Sequence, residues 1–223
     1  MTIQASCKTY SGDANLKDLT SNENISVHGS ANCTNTQVRN LTVSGELSFT
    51  NLTTTEDLNI SGSAQGKNLK SHKISVSGAL EVDQLNSSQI TISGSFSGKN
   101  ITTKQASASG DFNAKSSQIT ESLELSGDGN LIDSTITEIR MDGGDLSLKN
   151  CTVHKIIIKK SNSTRPINWL NKLFGQKKQT QKIVIKGKSV IDLIIIENPN
   201  ALVTVYRPAN VKEAVNNGQL VIK

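Results

Sequence analysis

Three aspartates recur at a constant spacing near the middle of the chain. Asp111, Asp128 and Asp145 stand at equal intervals, and each directly follows a glycine. If successive turns of a repeat bring them together, their carboxylates repel one another unless a cation or a proton intervenes. Such a column is typical of a calcium site or of the carboxylate pair of a sugar-cleaving enzyme. It is also typical of a solvated corner, and the absence of His, Lys or Arg in register favours the corner.

A basic stretch is the second candidate site. Between Lys155 and Lys188 the sequence has ten basic residues and no Asp or Glu, although the whole chain carries a net charge of only +5. Pro166 in a first turn and Gly175 at the end suit a short helix. Apolar residues recur between them at helical spacing, beside a tryptophan: Ile167, Trp169, Leu170, Leu173 and Phe174. The pattern predicts an inserted amphipathic helical segment.

Contact with an anionic membrane surface is one function of such a segment, because a short amphipathic helix with Trp and basic neighbours suits lipid headgroups. A helix packed on the flank of the domain, with solvated lysines, is the alternative. Since only Trp169 and Phe174 offer rings for stacking on bases, we expect no nucleic-acid partner. The residues expected to bind a membrane or partner are Ile167, Trp169, Leu170, Lys172, Leu173, Phe174, Lys177 and Lys178.

The other reactive side chains form no catalytic or metal-binding pattern. His28, His72 and His154 share no spacing, and P-loop, GxGxxG, HExxH and CxxC motifs are absent from the sequence. The sequence therefore predicts no enzyme, no cofactor and no small-molecule substrate. Cys33 and Cys151 fall on positions that we assign to the interior, so we expect buried thiols in a reducing compartment.

A repeated five-residue phrase indicates which elements position these residues. It appears as ISVHG, LTVSG, LNISG, ISVSG and ITISG, then as ASASG, LELSG and IRMDG. Apolar residues recur two and four positions before and after most of these glycines, which is the period of a strand with one buried face. Because every phrase runs in the same direction, the pattern predicts a parallel β-helix with turns of about 16–17 residues. The glycines that define the repeat are Gly12, Gly29, Gly45, Gly62, Gly78, Gly94, Gly110, Gly127 and Gly143.

A second column marks a corner of each turn, six positions after the glycine. Asparagine tolerates the left-handed backbone conformation, and its amide can bond to the next turn, so we expect a stacked polar corner. The column comprises Asn35, Asn51, Asn68, Gln84 and Asn100, with Asn150 added if the phrase slips by one position to Gly144.

The repeat is interrupted after residue 160. The phrase occurs as IIIKK at 156–160, with Lys160 in the glycine place, and next as IVIKG at 183–187. Because this interval exceeds the regular spacing, we expect about ten inserted residues within 161–182. The predicted organisation is one β-helix domain over 1–223. It has an N-terminal cap at 1–11, regular turns at 12–160, the basic amphipathic insertion at 161–182, and closing turns with a C-terminal cap at 183–223.

The segment ITISGSFSGKNITTK at 90–104 resembles the bactofilins, polymer-forming bacterial cytoskeletal proteins. Their core repeats a V-x-V-x-G-x-h-x-G unit in a right-handed β-helix, which Ile90, Ile92, Gly94, Phe96 and Gly98 match. The resemblance covers about residues 12–158, although the second glycine is present in only some turns and the basic insertion is not part of the family pattern. The SGS and SGA phrases are also similar to those of the head-GIN adhesins, which are β-helical too.

Either resemblance implies a non-enzymatic scaffold. We expect a right-handed β-helix that pairs with other copies through its ends, since a solenoid end exposes unpaired backbone. The beginning of the chain lacks the basic and apolar regions of a signal peptide, so we expect a cytoplasmic protein, docked on the inner membrane face through the basic insertion. The alternatives are a surface or secreted adhesin-type binding module and a carbohydrate-active β-helix enzyme that uses Asp111, Asp128 and Asp145.

Overall fold

A computed structural model describes residues 7–160 and 180–223. These residues form an all-β parallel solenoid of about 12 turns, with about 17 residues in each turn. None of them forms a helix, so this part of the chain has no helix that could cross a membrane. The 21 strands of the described residues are β1 Cys7–Tyr10, β2 Ala14–Lys17, β3 Asn24–Val27, β4 Ala31–Val38, β5 Asn40–Val43, β6 Leu47–Thr54, β7 Asp57–Ile60, β8 Ala64–Val76, β9 Leu80–Ile92, β10 Phe96–Ala108, β11 Phe112–Lys115, β12 Gln118–Leu125, β13 Gly129–Ile132, β14 Thr135–Met141, β15 Leu146–Lys149, β16 Thr152–Ile158, β17 Gln181–Lys186, β18 Val190–Ile196, β19 Ala201–Val205, β20 Asn210–Asn216 and β21 Gln219–Ile222.

Equivalent residues of successive turns pair directly, in parallel. Leu47 pairs with Ala64, Ala64 with Leu80, Leu80 with Phe96, and Phe96 with Phe112. Each step equals one interval of the sequence repeat, which confirms the parallel stacking that the repeat predicts. Because strands in one sheet lie about 4.8 Å apart, each column of like residues rises by that distance per turn.

The core is built from three pairs of inward side chains per turn. In one turn they are Ile74 with Val76, Leu80 with Val82, and Leu85 with Ser87, and all six are buried. Burying one aliphatic side chain of this size contributes about 1.5–3 kcal/mol, so the columns account for most of the stabilisation of a chain that has few aromatic residues.

Two phenylalanine rings enlarge the core locally. Phe96 and Phe112 stack with a centroid distance of 4.6 Å and an interplanar angle of 16°. A Cβ at Gly98 would meet the Phe96 ring, with the Ile101 side chain 2.9 Å away. The second glycine of the unit therefore makes room for an adjacent ring in this turn.

The asparagine corner is confirmed. All six predicted residues have positive φ, from 48° at Asn35 to 67° at Gln84, and the same conformation extends to Asp18, Ser116 and Asp133. Asn51 Nδ2 donates to Asn35 Oδ1 at 2.8 Å, and Asn68 Nδ2 donates to Asn51 Oδ1 at 2.6 Å. The amides thus form a directional hydrogen-bonded ladder along the corner.

The glycine column differs from the prediction at one turn. Gly144, with φ +67°, stacks on Gly127, whereas a Cβ at Gly143 would only approach the carbonyl oxygen of Ser126 at 3.1 Å. This turn contains one extra residue before the glycine corner. Leu146, and not Asp145, therefore takes the inward position opposite Gly129. The slip also brings Asn150 into the corner column, with φ 56°.

The insertion is longer than predicted. The phrase IVIKG does not lie on the same side of the turn as the other phrases, which precede the glycine corner. Ile183 pairs with Leu146 and Ile185 with Leu148, so these residues follow the glycine corner instead of preceding it. The chain between Leu146 and its partner Ile183 is longer than one regular turn by about twenty residues, which is the length of the insertion. Gly187, with φ +65°, lies against Asn150 and not in the glycine column. The alternation has period 2 on every side, so it does not distinguish one side from another.

Candidate functional site

The last turn of the described chain has an uncovered inner face. Strands β20 and β21 each pair on one side only, with β18 and β19 respectively. Ile222 is 62% exposed, whereas Val205, its partner in the preceding turn, is 1% exposed. Ala214 is exposed as well, although its partner Ile194 is fully buried. This end therefore presents both an unpaired strand edge and apolar side chains of core type.

The first turns of the described chain are different. Ala14 and Leu16 lie on β2, which pairs only with β4, yet they are 7% and 3% exposed. The inward positions of β2 are therefore covered, whereas those of β1 are the exposed Lys8 and the half-buried Tyr10. Among the described residues, exposed aliphatic side chains at inward positions are found at the C-terminal turn. Sequence reasoning predicted pairing through the ends without distinguishing them.

The residues predicted to bind a membrane or partner lie outside the described residues. Ile167, Trp169, Leu170, Lys172, Leu173, Phe174, Lys177 and Lys178 all fall within 161–179, between β16 and β17. The same holds for the predicted inserted helical segment at 161–182, apart from Thr180, which is exposed, and from Gln181 and Lys182, which belong to β17. Exposed lysines lie on both sides of residues 161–179. They are Lys159 and Lys160 before this segment, and Lys182, Lys186 and Lys188 after it.

Two of the three column aspartates, Asp128 and Asp145, accept a hydrogen bond from the backbone of the next turn. Asp128 Oδ1 accepts the backbone N–H of Asp145 at 2.8 Å, and Asp145 Oδ1 accepts that of Lys182 at 2.7 Å. Asp13 makes the same bond to the N–H of Ser30 at 2.8 Å. Within residues 7–160 and 180–223, no three His, Cys, Asp or Glu side chains converge on a possible metal position. The observed geometry gives Asp128 and Asp145 a structural role at the corner.

A chain of charged groups crosses three turns near the C-terminus. His154 Nδ1 lies 2.8 Å from Asp192 Oδ2, and Lys212 Nζ lies 2.8 Å from Asp192 Oδ1. Lys212 and, next, His154 hold the pKa of the Asp192 carboxyl below its usual range through hydrogen bonds and charge. All three groups are solvent-accessible, so this cluster contributes little to stability. The sequence did not indicate it, because its members lie on three different turns and are far apart along the chain.

The predicted buried cysteines are confirmed. Cys33 and Cys151 are buried and free, while Cys7 is exposed. Burial raises the pKa of the Cys33 thiol to about 12 and also raises the pKa of Cys151. Neither is a nucleophile at neutral pH, because the thiolate is the reactive form.

Buried hydroxyl groups are a feature that sequence reasoning missed. On the third side of each turn one inward residue is aliphatic and the other is usually Ser or Thr, as with Ser134 and Ile136. Ser134 Oγ donates to the Ile132 carbonyl at 2.8 Å, and Thr54 Oγ1 donates to Ser71 Oγ at 2.6 Å. Every buried side-chain nitrogen or oxygen of the described residues has a hydrogen-bond partner. The hydrogen bonds of these buried hydroxyls are therefore made to other groups of the solenoid.

Comparison of the chain with protein-family models, with curated proteins and with solved structures finds no match.

Proposed function

We propose that this protein is a non-enzymatic structural scaffold that self-associates through the C-terminal end of a right-handed β-helix. The right hand follows from the general rule that parallel strands of one sheet are joined by right-handed connections. The observation that carries the proposal is the last turn, where an unpaired strand edge coincides with exposed core-type residues, above all Ile222 at 62% exposure.

Pairing with a second copy would satisfy both features of that turn. An unpaired strand edge is a ready template for another strand. Covering Leu220 and Ile222 would remove apolar surface from water in the same step. The rest of the described surface suits a rigid rod, since every turn is held to its neighbours by parallel strand pairs.

A second part of the proposal concerns location. The basic insertion would bring the scaffold to an anionic membrane surface, the inner face of a bacterial membrane, as a peripheral protein. The supporting observation is the run from Lys155 to Lys188, with ten basic residues and no Asp or Glu. Lysines close to an anionic leaflet contribute about 1 kcal/mol each to binding.

Analytical ultracentrifugation over a range of protein and salt concentrations tests self-association. We expect the wild-type chain to assemble as its concentration rises. Ile222→Lys should weaken assembly about tenfold or more, because a charge replaces an aliphatic group that assembly would bury. The matched control is Thr50→Lys, which adds the same charge at an exposed position of β6. A wild-type chain that is strictly monomeric at all concentrations and salts would overturn the proposal, as would equal assembly of the two variants.

A further inference from the structure

The outward side chains change character along one side of the solenoid. In register along this side stand Asn130 on β13 and Ser147 on β15, followed by Val184 on β17, Thr204 on β19 and Val221 on β21. Leu202 on β19, half-buried, continues the column of Lys182. The polar surface of the earlier turns therefore becomes more apolar from β17 onward.

Lysines surround this apolar surface. Lys182 and Lys186 flank Val184 and are exposed. Lys186 Nζ lies 5.5 Å and Lys223 Nζ 5.7 Å from the centre of the Tyr206 ring, which is 37% exposed. Strands β17, β19 and β21 contain no Asp or Glu. We call the outer surface formed by Lys182, Val184, Lys186, Leu202, Tyr206 and Val221 the basic-apolar face.

The neighbouring side, formed by β16, β18 and β20, also has lysines, but each of its strand lysines has an acidic partner. Lys155 Nζ lies 3.7 Å from Glu138 Oε2, and Lys212 Nζ lies 2.8 Å from Asp192 Oδ1. The cations of that side are therefore neutralised locally. Among the described residues, Lys182 and Lys186 form no ion pair, although the Asp145 carboxylate of the preceding turn accepts the backbone N–H of Lys182.

We infer that the basic-apolar face binds an anionic membrane surface. Its lysines would contact lipid headgroups, and Val184, Leu202 and Val221 would rest at the boundary of the acyl chains. Tyr206 suits the same depth, because its ring is apolar while its hydroxyl stays hydrated. The inference rests on the proposed membrane docking and not on self-association. It adds a contact made by β-strands, next to the point where the basic insertion ends.

Co-sedimentation with vesicles tests this face, using phosphatidylcholine alone and phosphatidylcholine mixed with phosphatidylglycerol. The wild-type chain should bind only the mixed vesicles. Lys182→Gln/Lys186→Gln should bind them about 25-fold more weakly, since each lysine near an anionic surface is worth about fivefold in partitioning. The matched control is Lys155→Gln/Lys212→Gln, which removes the same charge from the neighbouring side and should change binding by less than about twofold.

A third variant separates this face from the insertion. Trp169→Ala/Lys177→Ala/Lys178→Ala alters only the insertion. If the wild-type chain binds neither vesicle, both the membrane docking and the basic-apolar face are overturned. If the insertion variant loses binding while Lys182→Gln/Lys186→Gln keeps it, docking stands and the face is overturned. Equal losses for Lys182→Gln/Lys186→Gln and Lys155→Gln/Lys212→Gln would also overturn the face, because net charge would then explain the binding.

A tryptophan placed on the basic-apolar face measures how deeply this face enters the lipid, independently of charge. In a Trp169→Phe background, Leu202→Trp places the only tryptophan of the chain on the basic-apolar face. Its emission should shift to the blue with the mixed vesicles and be quenched by brominated lipid. Emission that stays unchanged when the protein is bound would contradict contact through this face.

Discussion

Asn51 occupies a corner where a single side chain links three turns. Its amide donates to Asn35 at 2.8 Å and accepts from Asn68 at 2.6 Å, and its φ is 57°. Asparagine satisfies both demands, because it tolerates the left-handed conformation and its amide has a donor and an acceptor. The corner therefore depends on residue type more strictly than the exposed position suggests.

Replacing Asn51 separates these two contributions. Asn51→Ala should lower the free energy of unfolding by about 2 kcal/mol, because it removes both amide bonds and places a Cβ in the left-handed region. Asn51→Gly should lower it by about 1 kcal/mol, since glycine accepts that conformation without strain. Urea denaturation measures both variants. If Asn51→Ala is as stable as the wild type, the amide ladder contributes nothing.

At the residue level, the sequence predicted the conformation or burial of a residue correctly where position within the repeat is enough to define it. The asparagine corner and the burial of Cys33 and Cys151 follow from position within the repeat. The role of Asp128 could not be decided in this way, because a carboxylate that accepts a backbone N–H and one that binds a cation have the same spacing in the sequence. The bond to the backbone N–H of Asp145 distinguishes them.

At the scale of the element, glycine at the repeated corner lets the backbones of two successive turns approach closely. A Cβ added at Gly110 would lie 2.5 Å from the carbonyl oxygen and 2.9 Å from the carbonyl carbon of Gly94, which are backbone atoms of the preceding turn. A Cβ at Gly12 would have no atom within 4 Å. The same residue type is therefore essential in one turn and replaceable in another.

Two alanine variants test this difference. Gly110→Ala should lower the free energy of unfolding by about 2–3 kcal/mol, because two backbones must move apart. Gly12→Ala should change it by no more than about 0.5 kcal/mol, as an ordinary surface substitution does. Urea denaturation of the pair gives the comparison. Equal stability of the two variants would show that the corner is not closely packed.

For the whole molecule, stability should vary from the centre to the C-terminal end. The central strands β8, β9 and β10 have partners on both sides, whereas β20 and β21 each have one. In a solenoid each turn contacts only its neighbours, so an end turn opens more easily than a central one.

Amide hydrogen exchange on dilute protein should show this gradient. We expect the amides of β20 and β21 to exchange about tenfold or more faster than those of β9, because their edge is unpaired. Raising the protein concentration should slow exchange in β20 and β21 if copies pair there, and leave β9 unchanged. Uniform exchange rates along the rod would contradict an open C-terminal turn.

The sequence by itself determined that turns of nearly constant length stack in parallel, which apolar residues beside the repeated glycines point inward in the regular turns, and where one polar corner lies. These properties are local and repeated, so each turn restates them. The tertiary structure decided which side IVIKG occupies, how long the insertion is, that Asp192 joins His154 and Lys212, and that the inward residue Ile222 of β21 is exposed in the described part of the chain. Those depend on pairing between distant segments, and an alternation of period 2 is the same for each side of the rod.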